Sequence, residues 1–149
     1  MSVKIREEMN IGFIGYSGKP FDKEKAQKII DEILVKEGLT EYFTTDMNRP
    51  KDVAIVSGAT DLGIPGMVYH TAEKYNFKTI GVMCKRGYDK DNTLYPCDEI
   101  YAIGEDWGDE SETFISKIDR LYKIGGGEQS EKEKGMAEAA GIPVFEYDL

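Results

Sequence analysis

The chain has 149 residues, a formal net charge of -9 and a hydrophobic fraction of 40%, with Cys84 and Cys97 as its only cysteines. This length fits one domain over residues 1–149, and the acidic balance excludes long nucleic acid, whose recognition needs clustered Lys and Arg. No apolar run approaches the roughly 18 residues of a membrane span, and no C-x-x-C pair indicates a metal or redox site. We therefore expect a reduced, cytoplasmic protein with no metal, no resident cofactor and no membrane partner.

Short apolar runs alternate with helical patterns along the chain. The first strand is predicted at residues 11–15, and the first helix begins after an N-cap at Asp22 and ends at Gly38. A connector without clear periodicity covers residues 39–52. The later predictions are strands at 53–56, 79–83, 99–103, 120–124 and 143–147, helices over 65–75, 110–118 and 130–140, and a polar loop over 84–98.

This alternation is typical of a parallel sheet built from right-handed βαβ units. We predict an α/β fold, a single doubly wound Rossmann-like domain with a mainly parallel sheet and helices on both faces. In such sheets ligands bind outside the carboxyl ends of the strands, near the switch in strand order. Three glycine-rich loops follow predicted strands at that edge.

Small residues follow the first two strands. After the first strand the candidate ligand-binding residues are Gly15, Ser17 and Gly18. After the second strand they are Ser57, Gly58, Ala59, Thr60 and Gly63. The second group precedes a helix, where unpaired N–H groups and the helix dipole favour an anion. A tight turn explains the glycines of the first loop equally well, and packing is the alternative explanation for the second.

The third loop is the most informative. It contains the triple glycine Gly125, Gly126 and Gly127, followed by Gln129 and Ser130 at the start of the last helix. Successive glycines allow a ligand to approach the backbone closely, and the two polar side chains offer donors to a phosphate. Glu131 and Glu133 lie in the opening turn, where carboxylates also stabilise a helix N-terminus without any ligand.

The sequence holds two further residues, Trp107 and His70, whose side-chain chemistry suits binding or catalysis. Trp107 lies in the acidic segment 105–112 after the fourth predicted strand and offers a stacking surface for a base. An N-capped acidic turn with a packed tryptophan explains that segment at least as well. His70, the one histidine of the chain, lies in the second helix without a partner at metal-ligand spacing, and we assign it no role.

These loops, together with residues 141–144, resemble those of the SLOG superfamily. This group includes the LOG-type phosphoribohydrolases, once labelled lysine decarboxylases, and sensor domains for nucleotide-derived ligands. The resemblance covers residues 11–145. It implies a domain that binds a phosphate-bearing nucleotide or nucleotide derivative, and a homodimer or higher homo-oligomer.

The hydrolase branch carries the signature P-G-G-x-G-T-x-x-E, which lies over residues 125–133. Here Gly125 replaces Pro, Gln129 replaces Gly and Ser130 replaces Thr, and Glu133 falls on the catalytic glutamate, with Glu131 as the weaker candidate. The branch also uses an upstream arginine, and residues 105–117 contain none. The sequence therefore favours a sensor or binding module. An N-glycosidic phosphoribohydrolase is the alternative, and a scaffold that has lost its ligand ranks third.

Overall fold

The computed structural model describes residues 9–17, 20–40, 53–90 and 93–149. Its elements, in chain order, are β1 (Met9–Gly15), α1 (Lys23–Thr40), β2 (Val53–Ser57), α2 (Gly63–Lys74), β3 (Lys78–Met83), α3 (Lys85–Lys90), β4 (Glu99–Ala102), α4 (Ser111–Ser116), β5 (Arg120–Ile124), α5 (Glu128–Ala139) and β6 (Val144–Tyr147). The predicted alternation of strands and helices is confirmed. Residues 41–52 of the predicted connector lie outside the described residues.

The strands form a six-stranded sheet in the order β4-β3-β2-β1-β5-β6, and every neighbouring pair is parallel. The chain builds the sheet outward from β1 to β4, then returns to the other side of β1 to add β5 and β6. The strand order therefore switches between β1 and β5, where Gly15 lies opposite Ile124 at the carboxyl ends. This is the predicted doubly wound α/β fold, with the switch point at the edge where ligands bind in such folds.

Helices cover both faces of the sheet and create two apolar cores. One core packs α1 and α2 against alternate side chains of β1, such as Ile11 and Phe13. The other packs α4 and α5 against the opposite face, where Val56 and Leu121 are buried. Because both faces are covered, β2 is buried along its whole length, as its unbroken apolar run predicts.

The starts and ends of α1 and α5 follow from local chemistry. The Asp22 carboxylate accepts the N–H of Lys25 at 3.0 Å, which confirms the predicted N-cap of α1. The predicted stop at Gly38 is wrong, because α1 continues to Thr40. Glycine lowers helix propensity by about 1 kcal/mol and does not end a helix by itself. Gly141, at φ 77°, lies directly after the C-cap of α5, as predicted.

The helix α3 lies in a segment that was predicted to be a polar loop. Its six residues contain a glycine and no apolar periodicity, so no local pattern indicates a helix. Tertiary contacts hold it instead. The Lys85 N–H donates to the Gly104 carbonyl at 2.9 Å, and Gly87 packs against the ring of Trp107. The segment is helical because the loop after β4 is built against it.

The two cysteines are free in the structure, Cys84 buried and Cys97 half-buried. Burial raises the pKa of the Cys97 thiol to about 11, so little reactive thiolate forms at neutral pH. Among the described residues, no group of three His, Cys, Asp or Glu side chains is placed to hold a metal ion. No helix in the described part of the chain is long and apolar enough to cross a membrane.

A buried polar cluster joins α1 to the amino end of β5. Glu37, only 1% exposed, accepts hydrogen bonds from the Tyr122 hydroxyl at 2.6 Å and from Arg120 Nη1 at 3.1 and 3.2 Å. Burial, followed by the Glu37 carboxylate, raises the pKa of Tyr122, so its hydroxyl remains the donor. The cluster satisfies a carboxylate that would otherwise be costly to bury.

Tyr122→Phe is expected to lower the free energy of unfolding by about 1.5–3 kcal/mol, because it removes a buried hydrogen bond to a charged acceptor. Urea unfolding measures the change. Tyr101→Phe is the matched control, since Tyr101 donates to Glu99 at 2.6 Å on the half-buried strand β4. The control should lose less than about 1 kcal/mol, and equal losses in the two variants would contradict the importance of burial here.

Candidate functional site

A cavity of about 600 Å³ lies at the carboxyl edge of the sheet, within the roughly 300–1,000 Å³ range of small-molecule sites. The loops after β1, β2, β4 and β5 contribute to its walls, together with the end of β3, the helices α3 and α4, and the start of α5. The residues singled out from the sequence that line it are Gly15, Ser17, Ser57, Gly58, Ala59, Thr60, Trp107, Gly127, Gln129, Ser130 and Glu133. The fold thus brings all three glycine-rich loops to one space.

Other residues singled out from the sequence lie elsewhere. Gly63, Gly125, Gly126 and Glu131 are not part of the lining, and Gly18 lies outside the described residues. Glu131 points away from the cavity lining toward Lys123, whose ammonium is 3.8 Å from its carboxylate. His70 is exposed, with Nε2 2.9 Å from Asp61 Oδ1, and does not line the cavity.

Three of the glycines outside the lining are required by the backbone. Gly63, Gly125 and Gly126 have φ values of 54°, 64° and 115°, a conformation that side chains strain. A Cβ on Gly63 would collide with the Tyr16 carbonyl, and one on Gly125 would lie 2.6 Å from the Tyr16 ring. These glycines fix the packing of the loops around Tyr16.

Gly58 and Gly127 differ from these three. Neither has a positive φ, and a Cβ added to either would meet no atom within 4 Å. Both line the cavity, so the space that a Cβ would enter is cavity space. The protein's own packing does not require glycine at these positions, and glycine leaves the backbone there open to close approach from the cavity.

The start of α5 offers the best site for an anion. Its N-cap, Gly127, makes no side-chain capping bond, and the Gly127 carbonyl accepts the N–H of Glu131 at 3.1 Å. The N–H groups of residues 128–130 precede that bond, so they have no intrahelical acceptor. They lie at the positive end of the helix dipole and beside the cavity.

The start of α2 offers fewer donors. The Ile64 N–H is already donated to the Tyr16 carbonyl at 2.8 Å, and Pro65 has no N–H. The hydroxyl of Ser57 donates to the Phe13 carbonyl at 2.7 Å, which leaves it able only to accept from a ligand. The second loop therefore forms a wall of the cavity and offers fewer backbone donors than the start of α5.

Two buried carboxylates face the same cavity. Glu133 is 6% exposed and accepts a hydrogen bond from Ser111 Oγ at 2.9 Å, and Glu110 is 7% exposed. Burial raises the pKa of Glu133, and the charge of Glu110 raises it further, while polar contacts with Ser111 and Gln129 oppose the rise. Sequence reasoning missed Glu110, because the start of a helix is an ordinary place for a carboxylate. Its position three residues after Trp107 was the available signal.

The rim of the cavity is apolar. Trp107 is 61% exposed while its ring packs on Gly87 of α3, and Leu62, before α2, is also exposed. Asp109 is engaged within the loop after β4, since it accepts the N–H groups of Glu105 and Asp106 at 3.0 and 2.9 Å. The rim therefore presents an aromatic face, and the nearby Asp109 carboxylate is already hydrogen-bonded within its own loop.

No Lys or Arg belongs to the lining among the described residues. Two basic side chains of α3 form ion pairs with the loop after β4 instead, Lys85 with Glu105 at 3.6 Å and Arg86 with Asp106 at 2.9 Å. A phosphate in this cavity would thus be held by backbone N–H groups rather than by side-chain cations.

Solved structures with a similar fold include a molybdenum cofactor binding protein from the phototrophic bacterium Rippkaea orientalis, at 17% identity and a TM-score of 0.71, covering 95% of this chain and 77% of that one. The molybdenum cofactor carrier protein of Chlamydomonas reinhardtii matches at 16% identity and a TM-score of 0.70, over 93% and 76%. TM1055, a structural-genomics target, matches at 19% identity and a TM-score of 0.67, over 91% and 72%. No family model and no curated protein matches the sequence. The likeness shows the Rossmann-like fold.

Glu133→Gln is expected to raise the melting temperature at pH 8 by a few degrees. Folding raises the pKa of Glu133, so the protonated carboxyl stabilises the folded protein fully at pH values below the unfolded pKa. That stabilisation is lost as the pH rises through the folded pKa, because the buried carboxyl then becomes charged. Glutamine imitates the protonated form, and the difference from the wild type should shrink as pH falls to 4. Calorimetric melting across this range measures it.

Glu131→Gln is the matched control, because Glu131 is an exposed glutamate of the same helix. The melting temperature of this variant should show no gain over the wild type at pH 8 of the kind that shrinks as the pH falls to 4. A gain for Glu133→Gln that is constant or larger at low pH would contradict the assignment of a buried, destabilising charge.

Proposed function

We propose that the chain binds a phosphate-bearing, nucleotide-derived ligand in the cavity, as a sensor, carrier or binding module. The observation that carries the proposal is the pair Gly58 and Gly127, which line the cavity and where a Cβ would enter it without meeting a protein atom. Gly127 is also the N-cap of α5, so that space adjoins the unpaired N–H groups. A phosphate bound there would satisfy these donors and complement the helix dipole.

The electrostatics of the lining favour one phosphate rather than several. The anion-binding donors are confined to the start of α5, while Glu110 and Glu133 place negative charge elsewhere in the cavity. A second or third phosphate directed toward these carboxylates would be repelled in a partly desolvated space. A monophosphate with its ring system directed away from α5 avoids that repulsion.

The comparisons support binding in a general way. Two proteins of similar fold are described as binding or carrying the molybdenum cofactor, so this architecture is compatible with holding a small cofactor. We propose membership of the SLOG superfamily on the loops quoted above. A cytoplasmic location, a homo-oligomeric state and the absence of a resident cofactor belong to the same proposal.

A second candidate function is N-glycosidic hydrolysis of a nucleoside 5′-monophosphate. The observation that favours it is the buried carboxyl of Glu133 in the lining, one helical turn beyond the phosphate-binding donors. Its carboxylate would stabilise positive charge on the ribose as the glycosidic C–N bond breaks. The bonding electrons leave with the base, which takes a proton, and water adds to the sugar carbon. The absence of a lining arginine among the described residues makes binding the first choice.

Gly127→Ala is expected to weaken binding of a nucleoside monophosphate by about tenfold or more, because the new methyl group enters ligand space. The melting temperature should stay close to that of the wild type, since the methyl group meets no protein atom. Isothermal calorimetry with AMP, GMP, CMP, UMP, ADP-ribose and 6-hydroxymethylpterin monophosphate measures affinity.

The matched control is Gly135→Ala, because Gly135 lies in α5, also has open space at its Cβ position and does not line the cavity. It should retain binding and gain stability from better helix propensity. If no probe binds at millimolar concentration, or if Gly127→Ala binds as tightly as the wild type, the proposed site is wrong.

Hydrolysis is tested by incubating the protein with the nucleoside monophosphates and detecting free base by mass spectrometry. A hydrolase that uses Glu133 should lose base release in Glu133→Gln and keep it in Glu131→Gln, because only Glu133 lines the cavity. Recovery of unaltered nucleotide under all conditions would eliminate this second function and leave the binding proposal intact.

A further inference from the structure

The sheet sets the length of ligand that reaches both ends of the cavity. The start of α5 follows β5, and Gly87, on which Trp107 packs, follows β3. The strands β1 and β2 lie between β5 and β3, so three strand spacings of about 4.8 Å, or about 14 Å in all, separate the two ends. A phosphate on α5 and a planar ring on Trp107 would therefore occupy opposite ends of one extended molecule.

Glu110 is tied to the loop that carries Trp107, lies close enough to Glu133 for their charges to interact, and has unused hydrogen-bonding capacity. Its Oε1 accepts the Gly108 N–H at 2.9 Å, which ties it to the loop that carries Trp107. Its Oε2 accepts no hydrogen bond from the described residues. The side chain is more than nine-tenths buried, lines the cavity, and has no Lys or Arg beside it in the described lining. Among the described residues, the fully buried side-chain oxygen without a partner is Asn10 Oδ1, so Glu110 Oε2 is open to the cavity and can accept a hydrogen bond from a ligand.

We propose that Glu110 is a specificity-determining residue that accepts hydrogen bonds from the edge of the ligand's ring. Two adjacent donors, a ring N–H and an exocyclic amino group, match a carboxylate best. This pair is the 2-amino-4-oxopyrimidine edge, which guanine and pterins share. The inference rests on the proposed function, because it names the ring of the ligand whose phosphate lies on α5.

Other rings fit the carboxylate less well. Adenine places a ring nitrogen lone pair next to its amino group, so one acceptor would face another. Hypoxanthine keeps the ring N–H and lacks the exocyclic amino group, and uracil also presents a single ring N–H. A ligand that lacks the donor displaces water from the charged acceptor without replacing its hydrogen bond, so the site discriminates against that ligand.

The test compares the affinities of GMP, IMP, AMP and 6-hydroxymethylpterin monophosphate for the whole chain by calorimetry. GMP and IMP differ only in the exocyclic amino group, so their comparison isolates one donor. We expect GMP, the pterin monophosphate or both to bind about 10- to 100-fold more tightly than IMP and AMP. A preference for GMP over the pterin monophosphate identifies the ring as guanine, and the opposite preference identifies it as a pterin.

Glu110→Gln should abolish this preference, because an amide offers one acceptor oxygen instead of two. Glu112→Gln, at an exposed position of α4, is the matched control and should keep it. Should Glu110→Gln fail to fold, the wild-type comparison of GMP with IMP decides alone.

Equal affinity for all four ligands, or a preference that survives in a folded Glu110→Gln variant, would overturn this inference and leave the proposed function standing. Failure of every monophosphate to bind would overturn both. The two failures are therefore distinguishable in one set of titrations.

Discussion

The close approach of β5 and α2 to the end of β1 at Gly15 is the contact on which the ligand edge of the sheet depends. A Cβ at this position would collide with the Ile124 carbonyl and lie 2.7 Å from the Ile64 side chain. Without one, the backbones of β1 and β5 stay in register to their last residues, and the Ile64 N–H reaches the Tyr16 carbonyl. The three loops converge because this junction has no side chain in it.

Much of the fold follows from sequence pattern. The bounds predicted for β5, residues 120–124, match the structure, since a short segment rich in Leu, Tyr and Ile ends at the triple glycine that follows it. The helix α3 was not predictable, because contacts with the loop after β4 stabilise it rather than its own periodicity. The sequence alone cannot tell the two kinds of glycine in the triple glycine apart. Gly126 is required by its positive φ, whereas a Cβ on Gly127 would meet no protein atom. Glu110 was missed for a similar reason, since only its burial distinguishes it from other helix-start carboxylates.

The cavity separates two kinds of polar group along its length. Backbone N–H groups at α5 supply positive potential without a mobile side chain, and buried carboxylates supply negative potential farther along. Burying these carboxylates costs free energy, and it raises the pKa of Glu133. The chain tolerates that cost elsewhere through satisfied clusters such as Glu37 with Tyr122 and Arg120.

Trp107 has a consequence for how this protein can be observed. It is the single tryptophan of the chain, and its ring lies at the cavity rim, mostly exposed and resting on Gly87. Its indole emission therefore comes from one known place and is free of signals from the buried cores. A planar molecule that covers the exposed face would remove water from the indole and alter that emission. The protein thus carries its own optical indicator of occupancy, without any added label.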